Sequence, residues 1–277
     1  MVRVAFQGER GAFSEDAVIT FFTDAVLFPC RYLSDVFEAV RENEVDFGMV
    51  PVENSQAGSI NDTYDLLLSY PLNIFGEVNL RISHCLMALP GESLDGINTV
   101  YSHPQAIAQC QEFLRKVDAE VIPIYDTAGS AKRIKEESLK GYAAVASWRA
   151  AQIYGLEILA EKIETNVNNY TKFFVISRQQ AEPTQPTLKS KTSLVFAAKN
   201  IPGALYAGLG AFATRDINLI KLESRPSKDK PWEYIFYADF EGHISDRVCQ
   251  EAIAELEQKA SFIKILGSYP RAENRPG

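Results

Sequence analysis

The apolar residues at the start of the chain switch between two rhythms. Residues 2–6 form a short run of strand length, and the polar Gly8-Glu9-Arg10-Gly11-Ala12-Phe13-Ser14 after it gives way to Ala17, Val18, Phe21 and Phe22 at helical spacing. The alternation repeats: a strand over 27–31, a helix from Ser34 with Val36, Phe37 and Val40 inward, a strand over 46–50, and a helix over 60–69 ending near Pro71. Residues 72–89 alternate through Val78, Leu80, Ile82 and Cys85, which predicts a strand crossing into a second lobe.

The second lobe repeats the scheme. A strand over 98–101 meets Ser102-His103-Pro104-Gln105, and Ala106, Ile107, Cys110, Phe113 and Leu114 make one apolar helical stripe. A strand over 120–124 leads to Asp126-Thr127-Ala128-Gly129-Ser130 and another helix. A strand over 142–146 and a helix over 147–154 complete the lobe, and Asn168-Asn169-Tyr170-Thr171-Lys172-Phe173-Phe174-Val175-Ile176 reads as a loop feeding a return strand. Two α/β lobes enclosing a cleft follow from this order. The loops at 8–14, 54–58, 102–105, 127–130 and 168–173 are expected to face it.

Gln179-Gln180-Ala181-Glu182-Pro183-Thr184-Gln185-Pro186-Thr187 has no periodicity and two prolines, so residues 179–190 read as a linker. Beyond it come a strand over 191–197, then Asn200-Ile201-Pro202-Gly203 and a helix with Leu205, Leu209 and Phe212 aligned. Strands over 217–224 and 233–240, a helix with Val248, Ala252 and Leu256, and a strand over 261–267 complete a βαββαβ unit, the ferredoxin-like order. The polar tail after Pro270 is expected to be loose.

Composition narrows the class. The 277 residues are 46% hydrophobic and 23% charged, as in a globular protein with room for one large or two ordinary domains. A formal net charge of −8 argues against nucleic acid and anionic membranes as partners, and an anionic ligand would need local positive potential. Cys30, Cys85, Cys110 and Cys249 are scattered, as are His84, His103 and His243, so no metal site is expected and the thiols read as reduced, in a cytoplasmic protein. The N-terminus turns polar too early for a signal peptide, and no apolar run approaches the ~20 residues of a membrane span.

Candidate chemistry gathers at the strand ends. The 8–14 loop lacks the spacing of a dinucleotide fingerprint and reads as a tight βα turn able to meet an anion. Glu53, Asn54 and Ser55 end a predicted parallel strand, where open α/β sheets bind ligands, whereas Ser59 and Asp62 read as a helix capping box. His103, before Pro104, is either an acid–base group or a helix-start residue. Thr127 is a candidate N-cap of a helix whose N-terminus could hold a carboxylate. Strand alternation puts Thr171 and Phe173 on one face and Lys172 on the other, although Thr171 and Lys172 could both reach a cleft at the strand mouth.

Thr171-Lys172-Phe173 resembles the Thr-Arg-Phe motif of prephenate dehydratases, with Lys172 in place of the usual Arg. Pro51-Val52-Glu53-Asn54-Ser55, Ser102-His103-Pro104-Gln105-Ala106, Asp126-Thr127-Ala128, Gly203-Ala204-Leu205 and Glu223-Ser224-Arg225-Pro226 match further signatures of that family in order. The resemblance implies a bilobal, periplasmic-binding-protein-like catalytic domain over 1–178, with lobes of roughly 1–76 plus 165–178 and 77–164. It implies an ACT regulatory domain over 191–270. The implied reaction is decarboxylative dehydration of prephenate to phenylpyruvate in L-phenylalanine biosynthesis, needing no cofactor. Thr171, Asn54, Ser55 and Thr127 would be catalytic. Lys172, Phe173, Glu53, Ser102, Gln105 and Ala128 would bind substrate. Gly203, Ala204, Leu205, Asn218, Leu219, Glu223 and Ser224 would bind phenylalanine as effector, in a homodimer or homotetramer formed through the ACT domains. Replacing Arg by Lys removes a two-pronged donor, which puts the substrate pose in question. Arogenate dehydration and a non-catalytic bilobal ligand sensor are the competing readings.

Overall fold

The computed structural model describes residues 1–182, 189–199, 201–227 and 234–272. The central part of the predicted linker (183–188), Asn200, the first residue of the strand predicted from 233 and the tail from 273 lie outside the described residues. By its contacts the chain divides into two units. One holds Met1–Thr63 and Val78–Phe174, and the other holds Tyr64–Glu77 and the chain from Val175 through the last strand.

The chain opens with β1 (Val2–Gln7), α1 (Phe13–Phe21), β2 (Ala25–Cys30), α2 (Leu33–Arg41), β3 (Phe47–Asn54), the two-residue β4 (Gly58–Ser59), α3 (Asn61–Ser69) and β5 (Asn73–Arg81). It continues through β6 (Cys85–Ala88), β7 (Thr99–Ser102), α4 (Pro104–Gln109), α5 (Gln111–Leu114), β8 (Glu120–Pro123), α6 (Thr127–Glu136), β9 (Tyr142–Ala146), α7 (Trp148–Tyr154), β10 (Glu157–Glu161) and β11 (Tyr170–Ser177). The first lobe is the sheet β2-β1-β3-β11-β5, with β4 on β3. β1 runs parallel to both neighbours, and its Val4, Ala5 and Phe6 are fully buried. A parallel strand covered on both faces must be a continuous apolar run, which is why this segment carries no alternation. Val36, Phe37 and Val40 bring the apolar stripe of α2 into the same core.

The second lobe is the sheet β10-β6-β9-β7-β8. β7 is parallel to β8 and β9, whereas β6 runs antiparallel to β9 and β10. Leu86, Val100, Ala106, Cys110 and Val145 are at its centre.

The second unit contains β12 (Ser190–Ala198), α8 (Ala204–Ala213), β13 (Leu219–Pro226), β14 (Tyr234–Glu241), α9 (Arg247–Lys259) and β15 (Ala260–Pro270). The sheet order is β13-β14-β12-β15, antiparallel throughout, which is the ferredoxin-like arrangement expected for βαββαβ. Leu194 and Phe196 of β12 pack with Phe212 of α8 and Ala252 and Leu256 of α9. The next residues along β12 point the other way, and there Lys191 is buried between Glu77 (2.6 Å) and Asp239 (2.9 Å). The 64–77 stretch of the same unit makes further polar contacts with this sheet. The Tyr237 hydroxyl donates to the Tyr64 carbonyl (3.0 Å), and Lys264 Nζ donates to the carbonyls of Leu67, Leu68 and Tyr70 at the end of α3 (2.7, 2.9 and 2.7 Å).

Several local expectations are corrected. The predicted 72–89 strand is two strands, β5 and β6, broken at Ile82–His84. The stripe from Ala106 to Leu114 is two short helices that break at Cys110. Ser59 is not a helix cap: the chain folds back after Asn54, so Ser59 is still extended, opposite Glu53, and α3 starts at Asn61. Thr127 is not the N-cap of α6. Asp126 is, its carboxylate accepting the Gly129 N–H at 3.2 Å, and Thr127 is the first helical residue. β10 went unanticipated. Among the described residues no helix is long and apolar enough to cross a membrane.

Candidate active site

β3 ends at Asn54 and its neighbour β11 begins at Tyr170, so the two strand mouths meet; the Ser55 N–H donates to the Tyr170 carbonyl at 2.8 Å. Asn54 is buried, and its Oδ1 accepts the backbone N–H groups of Gln56 and Ala57, each at 3.0 Å. Backbone N–H groups can only donate, so they fix which end of the amide is oxygen. Nδ2 therefore donates toward Asn169 Oδ1 (2.8 Å), the Tyr170 carbonyl (3.1 Å) and Thr171 Oγ1 (3.0 Å). With Oγ1 accepting from Asn54, the Thr171 hydroxyl keeps its own proton to donate, and the residue lines the chamber beside it.

That chamber, about 170 Å³, is lined by Phe13, Ser14, Pro51, Asn54, Ile60, Ile82, His84, His103, Gln105, Ala106, Gln109, Thr127, Thr171 and Phe173. A larger hollow of about 660 Å³ shares Phe13, Ser14, His103 and Thr127 with it and adds Glu9, Arg31, Tyr125 and Asp126. The larger one is the less informative of the two, because Asn54 and Thr171 line only the smaller. Both lie between the lobes of the first unit.

The 8–14 loop contributes Phe13 and Ser14 because the second lobe holds it. Ser147 Oγ donates to the Gly11 carbonyl (2.6 Å), Tyr154 OH to the Arg10 carbonyl (2.8 Å), and the Glu9 N–H to Asp126 Oδ2 (3.0 Å). Gly11 has φ +89°, and a Cβ there would sit 2.7 Å from Ala150 Cα. Both the left-handed backbone and the close approach require glycine.

The charges around the cleft are mostly paired. Glu9 meets Lys132 at 3.0 Å. Burial lowers the pKa of His103, against the pull of Asp126, and its Nδ1 accepts the Gln105 N–H at 3.2 Å as the N-cap of α4. That is the helix-start role, and the same residue lines both hollows. Arg31 is the cation among the described residues lining the larger hollow.

Of the expected site residues, Asn54, Gln105, Thr127, Thr171 and Phe173 come together in the chamber. Five do not line it. Lys172 lies on the opposite face of β11 from Thr171, its Nζ 3.7 Å from Glu53 Oε2, because successive strand residues alternate. Ser55 ties the two loops, donating to the Asn168 carbonyl and accepting the Tyr170 N–H, each at 3.0 Å. Ser102 is fully buried and donates to the Val145 carbonyl at 2.6 Å, fastening β7 to β9. Ala128 is buried in the first turn of α6. His84 and Gln109 line the chamber and were not anticipated as site residues. The available signal was a polar residue on an otherwise apolar pattern, just after Ile82 and between Ala106 and Cys110.

In the second unit, Gly203 is the N-cap of α8 with φ +80°, and Ala204 and Leu205 form the first turn. A Cβ on Gly203 would meet nothing within 4 Å, so the glycine serves the backbone conformation there. The Asn218 carbonyl accepts the Glu241 N–H at 2.9 Å, just before Leu219 opens the edge strand β13. Glu223 and Ser224 lie on β13, with Glu223 3.1 Å from Lys221, and Arg225 pairs with Asp65 at 3.3 Å.

The family model described as prephenate dehydratase matches residues 4–181. Arogenate dehydratase/prephenate dehydratase 2, a chloroplastic protein of Arabidopsis thaliana, is 44% identical over 278 residues, covering 97% of this chain and 73% of that protein. The structure of prephenate dehydratase from Arthrobacter aurescens in complex with L-Phe has a TM-score of 0.90 at 34% identity, covering 100% of this chain and 92% of that one. A structure described as GqqA, a novel type of quorum quenching acylase, has a TM-score of 0.89 at 34% identity, covering 98% of each chain.

Proposed function

The chain belongs to the prephenate dehydratase family, and from that premise we propose that it converts prephenate to phenylpyruvate, water and carbon dioxide in the chamber beside Thr171. The observation that carries the assignment is the bond from Asn54 Nδ2 to Thr171 Oγ1. An amide N–H donor cannot take a proton from the hydroxyl, so this threonine is arranged as a hydrogen-bond donor and not as a nucleophile. That suits a reaction in which an oxygen leaves, and it does not suit acyl transfer.

In the reaction, the bond between the ring and its carboxylate breaks, and the electron pair moves through the ring to expel the ring hydroxyl. The carboxylate departs as carbon dioxide, and the hydroxyl departs with the electron pair as hydroxide, which takes a proton from solvent to become water. Thr171 stabilises the charge growing on that oxygen. A positioned donor or acid of this kind contributes about 10²–10⁴-fold in rate. Phe13, Pro51, Ile60, Ile82 and Phe173 give the chamber apolar walls, which disfavour a solvated carboxylate relative to neutral carbon dioxide. The first turn of α6 at Thr127 and the guanidinium of Arg31 supply the positive potential for the side-chain carboxylate. Lys172 faces away from the chamber, so the exchange of Arg for Lys acts outside it.

The family resemblance and a relative in complex with L-Phe support phenylalanine as feedback effector. The catalytic part is assigned to residues 1–178 and the effector-binding part to 191–270, joined by 179–190. Gly203–Leu205 and Asn218–Ser224 are the proposed effector residues. A homodimer or homotetramer through this part is the proposed assembly, because Ile201, Tyr206 and Leu222 leave 62%, 83% and 44% of their surface exposed there.

Purified protein given prephenate and, separately, arogenate tests the reading. Phenylpyruvate formation with a kcat/KM for prephenate at least equal to that for arogenate is expected. Turnover of arogenate alone would reassign the substrate, and turnover of neither would remove the enzymatic reading.

A further inference from the structure

We infer that His84 is a positioning residue of this site: as its Nε2–H tautomer, it fixes the direction of the hydrogen-bond chain that ends at the Thr171 hydroxyl. The inference rests on the dehydratase reading for its catalytic meaning but not for its geometry.

The direction of the chain follows from backbone groups alone. The Gln56 and Ala57 N–H groups make the atom of Asn54 facing them an oxygen, so Asn54 Nδ2 faces Asn169, and the atom it meets there is Oδ1. The amide nitrogen of Asn169 then donates to Gln109 Oε1 at 2.9 Å. His84 Nε2 meets the same Oε1 at 2.9 Å, and against an acceptor it must carry the proton. In a neutral ring Nδ1 is then a bare lone pair, and it has no hydrogen-bond partner among the described residues. The other tautomer would set two lone pairs against each other at Gln109 and strand a buried N–H at Nδ1. Each such buried loss disfavours that tautomer.

The surroundings keep the ring neutral. His84 is 2% exposed, and burial lowers its pKa, opposed by its bond to Gln109 and by the charge of Glu164. Glu164 Oε2 accepts the His84 backbone N–H at 2.9 Å, while its other oxygen faces Arg81 at 3.6 Å. The ring of Phe13 packs edge-on at 5.3 Å and fixes the plane of the imidazole.

Gln109 sits at the centre of this arrangement. Its Oε1 is held by Asn169 and His84, which leaves its Nε2 turned to Asn54 Oδ1 at 3.4 Å. Without the His84 donor, one of the two anchors on Oε1 is gone. A rotated Gln109 would set oxygen against oxygen at Asn54 and loosen the amide that orients Thr171. The effect falls on the reacting hydroxyl, so it belongs to kcat and not to substrate binding.

Two measurements test this. In the ¹⁵N-labelled wild-type protein, imidazole nitrogen shifts between pH 6 and 8 should show His84 protonated at Nε2 and bare at Nδ1. An Nδ1–H tautomer or a doubly protonated ring would overturn the inference whether or not the protein turns over prephenate. In steady-state kinetics, His84→Leu should lower kcat for prephenate by about 10–100-fold with KM within about threefold, and His84→Gln, which offers an N–H at similar reach, should recover most of it. Equal rates for the Leu and Gln variants, with matched melting temperatures, would overturn it. A wild type inactive on prephenate while His84 holds the Nε2–H form would instead count against the dehydratase reading.

Discussion

Asn54 Nδ2 donates to Thr171 Oγ1 at 3.0 Å, joining residues 117 positions apart in the chain. The bond occupies the hydroxyl as acceptor and leaves its proton for a hydrogen bond to the departing oxygen. Thr171→Ala should therefore lower kcat for phenylpyruvate formation by at least about 100-fold, within the range of a lost hydrogen-bond donor to developing charge. Thr171→Ser keeps the hydroxyl and should retain much of the rate. A mild effect of the alanine change would remove Thr171 from the chemistry.

Replacing the donor beside Thr171 by an acceptor is a sharper test. Asn54→Asp preserves an oxygen for the Gln56 and Ala57 N–H groups, so the turn should survive. It also sets a carboxylate oxygen against Thr171 Oγ1, which turns the threonine proton inward. The expected outcome is a folded protein whose kcat falls about as far as that of Thr171→Ala, with the fold checked by circular dichroism.

Gly11 tests how the second lobe holds the 8–14 loop. An added Cβ would sit 2.7 Å from Ala150 Cα on a backbone at φ +89°. Gly11→Ala should cost about 1–3 kcal/mol, read as a lower melting temperature, and should raise KM by releasing Phe13 and Ser14 from the chamber wall. An unchanged melting temperature would show that the loop can move aside.

The effector assignment makes a separable prediction. Gly203 lies in open space, so Gly203→Ala should cost only about 1 kcal/mol of backbone strain and leave the unit folded. L-phenylalanine should bind the wild type by calorimetry and shift its rate curve. Gly203→Ala or Glu223→Ala should weaken both while sparing the rate without effector. A wild type that ignores phenylalanine would sink the assignment.

The alternation of strand and helix, the ferredoxin-like order and the meeting of Asn54 with Thr171 were legible because each has a local signature: a period, a turn composition, a strand end. His84 and Gln109 were not, because periodicity assigns a polar residue to the surface. What makes both of them interior is an amide chain through Asn169 and Asn54, far off in sequence. Lys172 shows the opposite error. Strand alternation already set it across from Thr171, but the motif around it drew it into the site. Ser102 stands at a strand end like a ligand group, yet its hydroxyl is engaged by the Val145 carbonyl, a neighbour that only the sheet order reveals.

Lys191 was expected only as a strand residue, and it carries the strongest prediction about stability. It is 1% exposed, with Glu77 at 2.6 Å and Asp239 at 2.9 Å. Burial opposes its charge, but the two carboxylates prevail and raise its pKa above the ordinary value. A raised pKa for a cationic group means that the folded state holds the proton more tightly than the unfolded chain. The contribution is therefore complete below the unfolded value of about 10.4 and is lost as pH rises through the folded one. Urea unfolding of the wild type should accordingly weaken at strongly alkaline pH. Lys191→Met leaves two buried carboxylates facing each other and should cost about 3–5 kcal/mol at neutral pH, with much of that alkaline loss gone. Adding Glu77→Gln and Asp239→Asn should restore part of the stability, because the damage comes from the uncompensated charge. A Lys191→Met protein as stable as the wild type would show that the triad stabilises nothing.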